Sequence, residues 1–302
     1  MNPPLSLIVV SYNMARELPR TIRSLSPAMQ HSIGASDYEV ILVDNGSTQP
    51  FDEDACRRWL PSLRLHRLRS SSPSPVAAIN QGLELAKGDL IGVCIDGARL
   101  ASPGLLEGAL KAARLCRRPV IGTLGFHLGP DIQNRSIQNG YSQTREDELL
   151  ASVDWSRNGY RLFAISSFAG SSANGWFMPI AESNALFLTR RQWDELGGYD
   201  ARFRMPGGGL ANLDIWRRAC MAPDNQVIIL LGEGTFHQVH GGVATNSSKP
   251  MYPMFDEEYR LIRGEPYRVP PISPLFVGRI APETLPTISW SAEHAARSPL
   301  AS

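Results

Sequence analysis

The chain has 302 residues, 43% of them hydrophobic and 20% charged, with a formal net charge of +1. That balance supports a sizeable core and offers no polybasic face to nucleic acid or to an anionic membrane. No apolar stretch reaches the ~20 residues of a membrane span, no basic leader precedes the first apolar run, and the four cysteines lack metal or redox spacing. The expectation is a cytoplasmic protein, peripheral to the inner membrane face at most, with reduced thiols and no nucleic-acid partner.

Leu5–Val10 is an unbroken β-branched and leucine run, the pattern of a parallel strand buried on both faces, and Ser11-Tyr12-Asn13 ends it. Glu17–Met29 reads as a helix. Tyr38–Val43 is a second strand, stopped by the turn signal Asp44-Asn45-Gly46-Ser47, and Leu63–Leu68 a third. Pro75–Lys87 reads as a helix, Leu90–Ile95 as a strand running into Asp96-Gly97-Ala98-Arg99, Pro103–Leu115 as a helix and Val120–Phe126 as a strand. Strand and helix alternating over the first 125 residues predict an α/β fold, a mostly parallel Rossmann-like sheet with flanking helices. Ligands of such sheets sit beyond the carboxyl ends of the strands, so Ser11, Tyr12, Asn13, Asp44, Asn45 and Asp96 should converge on one crevice. The hydroxyl and ring at Ser11 and Tyr12, with a carboxylate after the second strand, suit a nucleoside.

Beyond a polar stretch, Thr144–Val153 reads as a helix, Asn184–Leu188 as a strand and Arg190–Leu196 as a helix. The flexible loop Pro206-Gly207-Gly208-Gly209 leads into the amphipathic segment Ala211–Cys220, and a late strand, Val227–Leu231, precedes FHQVHGG at 236–242. After Lys249 prolines dominate. That region reads as an extension draped over a single domain, its last ~15 residues mobile.

The succession SLIVVSYNMARELPRTIRSL, YEVILVDNGS, AAINQGLELAKGDLIGVCID and NALFLTRRQWDELGGYDARF resembles the family 2 glycosyltransferases of the GT-A fold over roughly residues 5 to 220. The resemblance implies a GT-A domain over 1–248, with a nucleotide-binding half (1–125) and an acceptor half (126–248), followed by the extension 249–302. It implies transfer of a sugar from a nucleotide-diphosphate donor, UDP-sugars favoured, to a hydroxyl of a glycan or glycolipid, with inversion, in polysaccharide or glycoconjugate biosynthesis. Carried over by motif, donor-binding falls to Ser11, Tyr12, Asn13, Asp44, Asn80, Lys87 and Asp96.

Two departures stand out. Asp96 matches the first acid of the family's DxD element, but the second, which holds Mg²⁺ or Mn²⁺, is Ala98. Asp96 and diphosphate alone are a thin ligand set for a divalent cation. His237 and His240 can complete it, imidazole suiting Mn²⁺ better than Mg²⁺; alternatively Arg99, or Arg204 on the glycine loop, can neutralise the diphosphate without a metal. Glycines 241 and 242 would let backbone approach a phosphate. On the acceptor side, the family's base-bearing acidic pair is replaced by Ala211 and Asn212. An amide takes no proton at neutral pH, which leaves Asp214 and Glu182 as candidate bases. Trp176, Trp193 and Trp216 are either sugar-stacking surface or core. A silent GT-A module, binding a nucleotide sugar or a partner transferase, is the alternative function. A nucleotidyltransferase lacks its glycine- and lysine-rich triphosphate loop here.

Overall fold

The computed structural model describes residues 3–69, 72–94, 96–241 and 251–298. Strand β1 (Leu5–Ser11) pairs in parallel with β2 (Tyr38–Asp44) on one side and β4 (Leu90–Cys94) on the other, and β3 (Arg64–Arg67) extends that edge. Every residue of β1, β2 and β4 is buried, as their unbroken apolar runs require of strands covered on both faces. Leu7 and Val9 pack into one apolar layer and Ile8 and Val10 into the other, following the two-residue alternation of a strand.

Helices α1 (Leu18–Ser24), α2 (Glu53–Trp59), α3 (Val76–Leu85) and α4 (Leu105–Ala112) cover this half. The sequence predicts a first helix over Glu17–Met29. The structure stops it at Ser24, because the ring of Pro27 disfavours helical backbone at Ser26.

Beyond β4 the sheet becomes mixed. Strand β8 (Ala185–Thr189) runs antiparallel to both β4 and β6 (Pro119–Leu128), and β9 (Gln226–His237) runs parallel to β6. Strand β9 reaches six residues further than Val227–Leu231, past a register shift opposite Gly122–Leu124. Two short antiparallel strands complete this side: β5 (Arg99–Ala101) on β9 and β7 (Ser166–Phe168) on β6. Helices α5 (Gln133–Gln138), α6 (Gln143–Ala151), α7 (Arg190–Leu196) and α8 (Ala211–Met221) flank it. In α7, Thr189 and Gln192 form a reciprocal capping box, and the helix ends at Gly197 with φ 70°.

The region after residue 250 is more regular than the composition suggests. Helix α9 (Tyr252–Arg263) buries Phe255 and Tyr259, and β10 (Leu275–Gly278) adds an edge strand to β9. The stretch expected to be mobile contains helix α10 (Leu285–Arg297). The sheet order is β10-β9-β6-β8-β4-β1-β2-β3.

Candidate functional site

A cavity of about 740 Å³ opens at the carboxyl ends of β1, β2, β4, β6 and β9. Ser11, Tyr12, Asn45, Asp96 and Arg99 line one side, His127, His237, His240 and Gly241 another, and Glu182, Asn184, Asn212 and the loop Pro206–Gly209 close it. Gly242, the last residue of the late motif, lies outside the described residues.

The centre of the site is a row across three strands. In the sheet register Arg99 of β5 stands opposite His237 of β9, which stands opposite His127 of β6. Opposed residues share a sheet face, so all three reach the cavity. Asp96 sits just before β5: its Oδ1 accepts from the Ala98 amide (3.0 Å) and its Oδ2 from Arg99 Nε (2.9 Å). Gly97 is the small residue this turn needs, since a Cβ there would lie 3.1 Å from both Ser11 Cβ and Leu18 Cδ1. Ala98, where the second acid would stand, is fully buried and does not reach the cavity.

Instead, His237 Nε2 lies 3.7 Å from Asp96 Oδ2 and 3.1 Å from His240 Nε2. Ligand atoms of Asp96, His237 and His240 lie within 4.8 Å of one another. Two nitrogens and a carboxylate oxygen at that spacing fit one divalent transition ion, with positions left for phosphate and water. Burial lowers the pKa of all three cavity histidines, His127 to about 4 and His237 well below its ordinary value, with the Arg99 charge acting in the same direction. Neutral imidazole is the ligating form.

Beside this trio three residues that line the cavity each carry a buried polar atom with no hydrogen-bond partner among the described residues: Ser11 Oγ, Asn45 Oδ1 and Arg99 Nη1. Unpaired buried polar atoms are costly, and a ligand bound in the cavity is one way to supply their partners.

A second wall of the cavity is built around Asn212. Its Nδ2 donates to Glu182 Oε2 (2.6 Å) and to the Ser183 carbonyl (3.2 Å), and its Oδ1 accepts from Tyr199 OH (2.9 Å). Glu182, which lines the cavity, is therefore held by Asn212. The glycine loop has positive φ at Gly207, Gly208 and Gly209. It is tied down by Gly207 N donating to the Pro73 carbonyl and by Glu258 of α9, whose Oε1 accepts from the Arg204 and Met205 amides.

Several residues singled out in the sequence stand elsewhere. Asp214 is buried away from the cavity, its oxygens taken by Arg218 Nε (2.8 Å) and by Arg263 Nε and Nη2 (2.6 and 2.7 Å). Lys87 precedes β4 and so lies at the amino end of the strand, remote from the crevice; its amide donates to Ser6 Oγ and Glu39 Oε1. Asn80 exchanges hydrogen bonds with the backbone of Tyr199. Asn13 has φ 52° and its Oδ1 accepts from the Thr48 and Gln49 amides, while Asp44 Oδ1 accepts from the Ser47 amide. Both shape the rim without lining it. Arg204 does not line the cavity, and Trp176, Trp193 and Trp216 are core. Conversely, His127 and Gln133 were not marked by sequence reasoning. The signal for His127 was its place at the end of a strand, as with Ser11 and Asp96.

The profile of the family described as glycosyl transferase family 2 matches residues 6–160, just over half of the chain. The chain belongs to that family. Among solved structures, the chain is similar to S. aureus TarS, with TM-score 0.55 and 15% identity over 87% of this chain and 39% of that one. It is also similar to residues 1–349 of S. aureus TarS in complex with UDP-GlcNAc (TM-score 0.53, 16% identity, 87% and 65% of the chains). A third likeness is GalNAc-T7 with UDP, GalNAc and Mn²⁺ (TM-score 0.54, 15% identity, 88% and 52%). The chain thus spans about two fifths of the longer TarS chain, and at such identity the likeness establishes the shared GT-A fold. No curated protein sequence matches it significantly. Among the described residues no helix is long and apolar enough to cross a membrane.

Proposed function

We propose that the chain is an active, inverting glycosyltransferase that moves a sugar from a nucleoside-diphosphate donor, UDP-linked by preference, to a hydroxyl of a glycan or glycolipid acceptor in polysaccharide or glycoconjugate assembly. The observation that carries this reading is the corner where Asp96, His237 and His240 converge beside the unpaired Nη1 of Arg99. A divalent cation held by those three would neutralise the diphosphate of the donor. Arg99 Nη1 binds a phosphate oxygen, and Ser11, Tyr12 and Asn45 hold the nucleoside. UDP and Mn²⁺ are the nucleotide and ion bound by GalNAc-T7, and UDP-GlcNAc is bound by TarS, which favours the same class here.

Glu182 is the base of this reading. It lines the cavity within hydrogen-bond reach of Asn212, so its carboxylate occupies nearly the space of the acid that the family carries at that position. It accepts the proton of the acceptor hydroxyl as that oxygen attacks the anomeric carbon, while Asn212, fixed by Tyr199, orients it. Asp214 has no part in this chemistry, because its oxygens are occupied by two arginines out of reach of the cavity.

The test is release of nucleoside diphosphate from a panel of UDP- and GDP-sugars with candidate acceptors, with added Mn²⁺ or with chelator. Activity that chelator abolishes supports the reading, and full activity in chelator overturns the cation corner. The replacement of two family acids by Ala98 and Asn212 favours one second reading, a silent module. Nucleotide-sugar binding without turnover of any donor would establish it in place of the enzyme.

A further inference from the structure

Gln133 touches two cavity histidines with two different groups. Its backbone N–H donates to His127 Nδ1 (2.8 Å), and its side-chain Oε1 lies 2.5 Å from His237 Nδ1. A backbone amide can only donate, so His127 Nδ1 carries the lone pair and the neutral ring bears its proton on Nε2. An amide oxygen can only accept, so His237 Nδ1 carries the proton and its Nε2 is left with the lone pair. The consequences at the cavity are opposite. His237 Nε2 faces Asp96 and His240 as a ligand. His127 Nε2 has no hydrogen-bond partner among the described residues, and the ring lines the cavity in the same cross-strand row as Arg99. It therefore presents an N–H where His237 presents a lone pair, although the two rings stand only 5.5 Å apart.

We propose that Gln133 is a positioning residue that fixes the two neighbouring histidines in opposite tautomers, making His237 a cation ligand and His127 a hydrogen-bond donor to an oxygen of the donor diphosphate. The proposal rests on the reading given under Proposed function for the identity of the ligand, but not for the tautomers. The first helical turn of α5 explains the economy of the device: the Gln133 amide is one of the orphan donors of a helix N-terminus, and His127 is its acceptor. A neutral N–H aimed at the leaving diphosphate gains strength as negative charge accumulates there, without competing for the cation.

The experiment is long-range ¹H–¹⁵N correlation on metal-free protein labelled at histidine, with His127→Phe and His237→Phe for assignment. The proposal expects His127 as the Nε2–H tautomer and His237 as the Nδ1–H tautomer; the reverse at either ring overturns it. Gln133→Leu keeps the backbone amide, so the His127 signal should stay while His237 becomes a tautomer mixture and Mn²⁺ affinity falls about tenfold. Gln133→Glu, which retains the acceptor oxygen, should restore both; failure of that rescue counts against the positioning role. His127→Phe should leave Mn²⁺ affinity unchanged and weaken UDP binding about tenfold, with uridine binding unaffected. A parallel loss of Mn²⁺ affinity in that variant would make His127 a ligand and refute the proposal. If neither Mn²⁺ nor UDP binds the parent protein while both tautomers are as stated, the donor-site reading fails and the role of Gln133 in setting the tautomers stands.

Discussion

On the reading proposed for the cavity, two sides carry no acid where the family resemblance leads one to expect it, Ala98 at the donor corner and Asn212 at the acceptor wall, and the neighbouring groups are supplied differently at each. At the donor corner Ala98 is fully buried in the core, while His237 and His240 reach the cavity from the end of β9. At the acceptor wall Asn212 itself lines the cavity and donates to Glu182, a carboxylate from the segment before β8. The donor corner is a rigid row of opposed strand residues, whereas the acceptor wall is a chain of side-chain hydrogen bonds from Tyr199 through Asn212 to Glu182. On that reading, a chemical role is attached to a point in space that several chain segments can reach.

Substitutions can break each side in turn. Glu182→Gln should lower turnover by about 10³-fold while nucleotide binding is kept, measured by steady-state transfer and UDP titration. Undiminished turnover would remove Glu182 as base. His237→Ala should cost about 100-fold and abolish the response to Mn²⁺. Asn212→Asp, introduced into Glu182→Gln, should recover about tenfold of the lost turnover by returning the carboxylate to the helix; no recovery would mean that the two positions do not share one function. Asp214→Asn should act on folding and not on chemistry. It leaves two arginines facing a neutral amide and costs about 3 kcal/mol, read as a lower Tm with kcat of the folded fraction near the parent value.

The smallest effect concerns a group outside both sides. Glu233 of β9 is buried, its oxygens accepting from Ser102 Oγ, the Gly104 amide and Tyr160 OH, and burial pushes its pKa up to about 7 despite those donors. The folded chain then holds a proton that the unfolded chain releases near 4.5, so the contribution to stability is complete below 4.5 and declines as pH rises through about 7. Thermal melts across that window should show a falling Tm, and Glu233→Gln should flatten the slope.

Much of this was legible in the sequence because it was local. The apolar runs of β1, β2 and β4 and the turn residues after them have periodic or compositional signals, and Ser11, Tyr12 and Asp96 could be placed in the crevice from strand polarity alone. Lys87 misled because resemblance carries residues and not strand ends: it stands before its strand, not after it. Asp214 misled because its partner Arg263 lies 49 residues away in a proline-rich region with little helical signal. The antiparallel β5 is three residues long, too short for any periodicity, yet it sets Arg99 opposite His237. Gln133 has no signal of its own, because a glutamine becomes informative only when its two histidines are already in place.

The order in which these parts leave the ribosome has a consequence. Gln133 and His237 are 104 residues apart, and closing a loop of that length costs conformational entropy that the later contacts must offset. Glu182 and Asn212 are both synthesised before β9. Strand β9 brings both the imidazole of His237 and the pairing partner of β5, so the row from Arg99 to His127 is assembled only after Glu182 and Asn212 have been synthesised. On the functional reading proposed for the cavity, the cation corner is therefore the part of the site that depends on the longest-range pairings of the chain, and it forms only when β9 has taken its place beside β6.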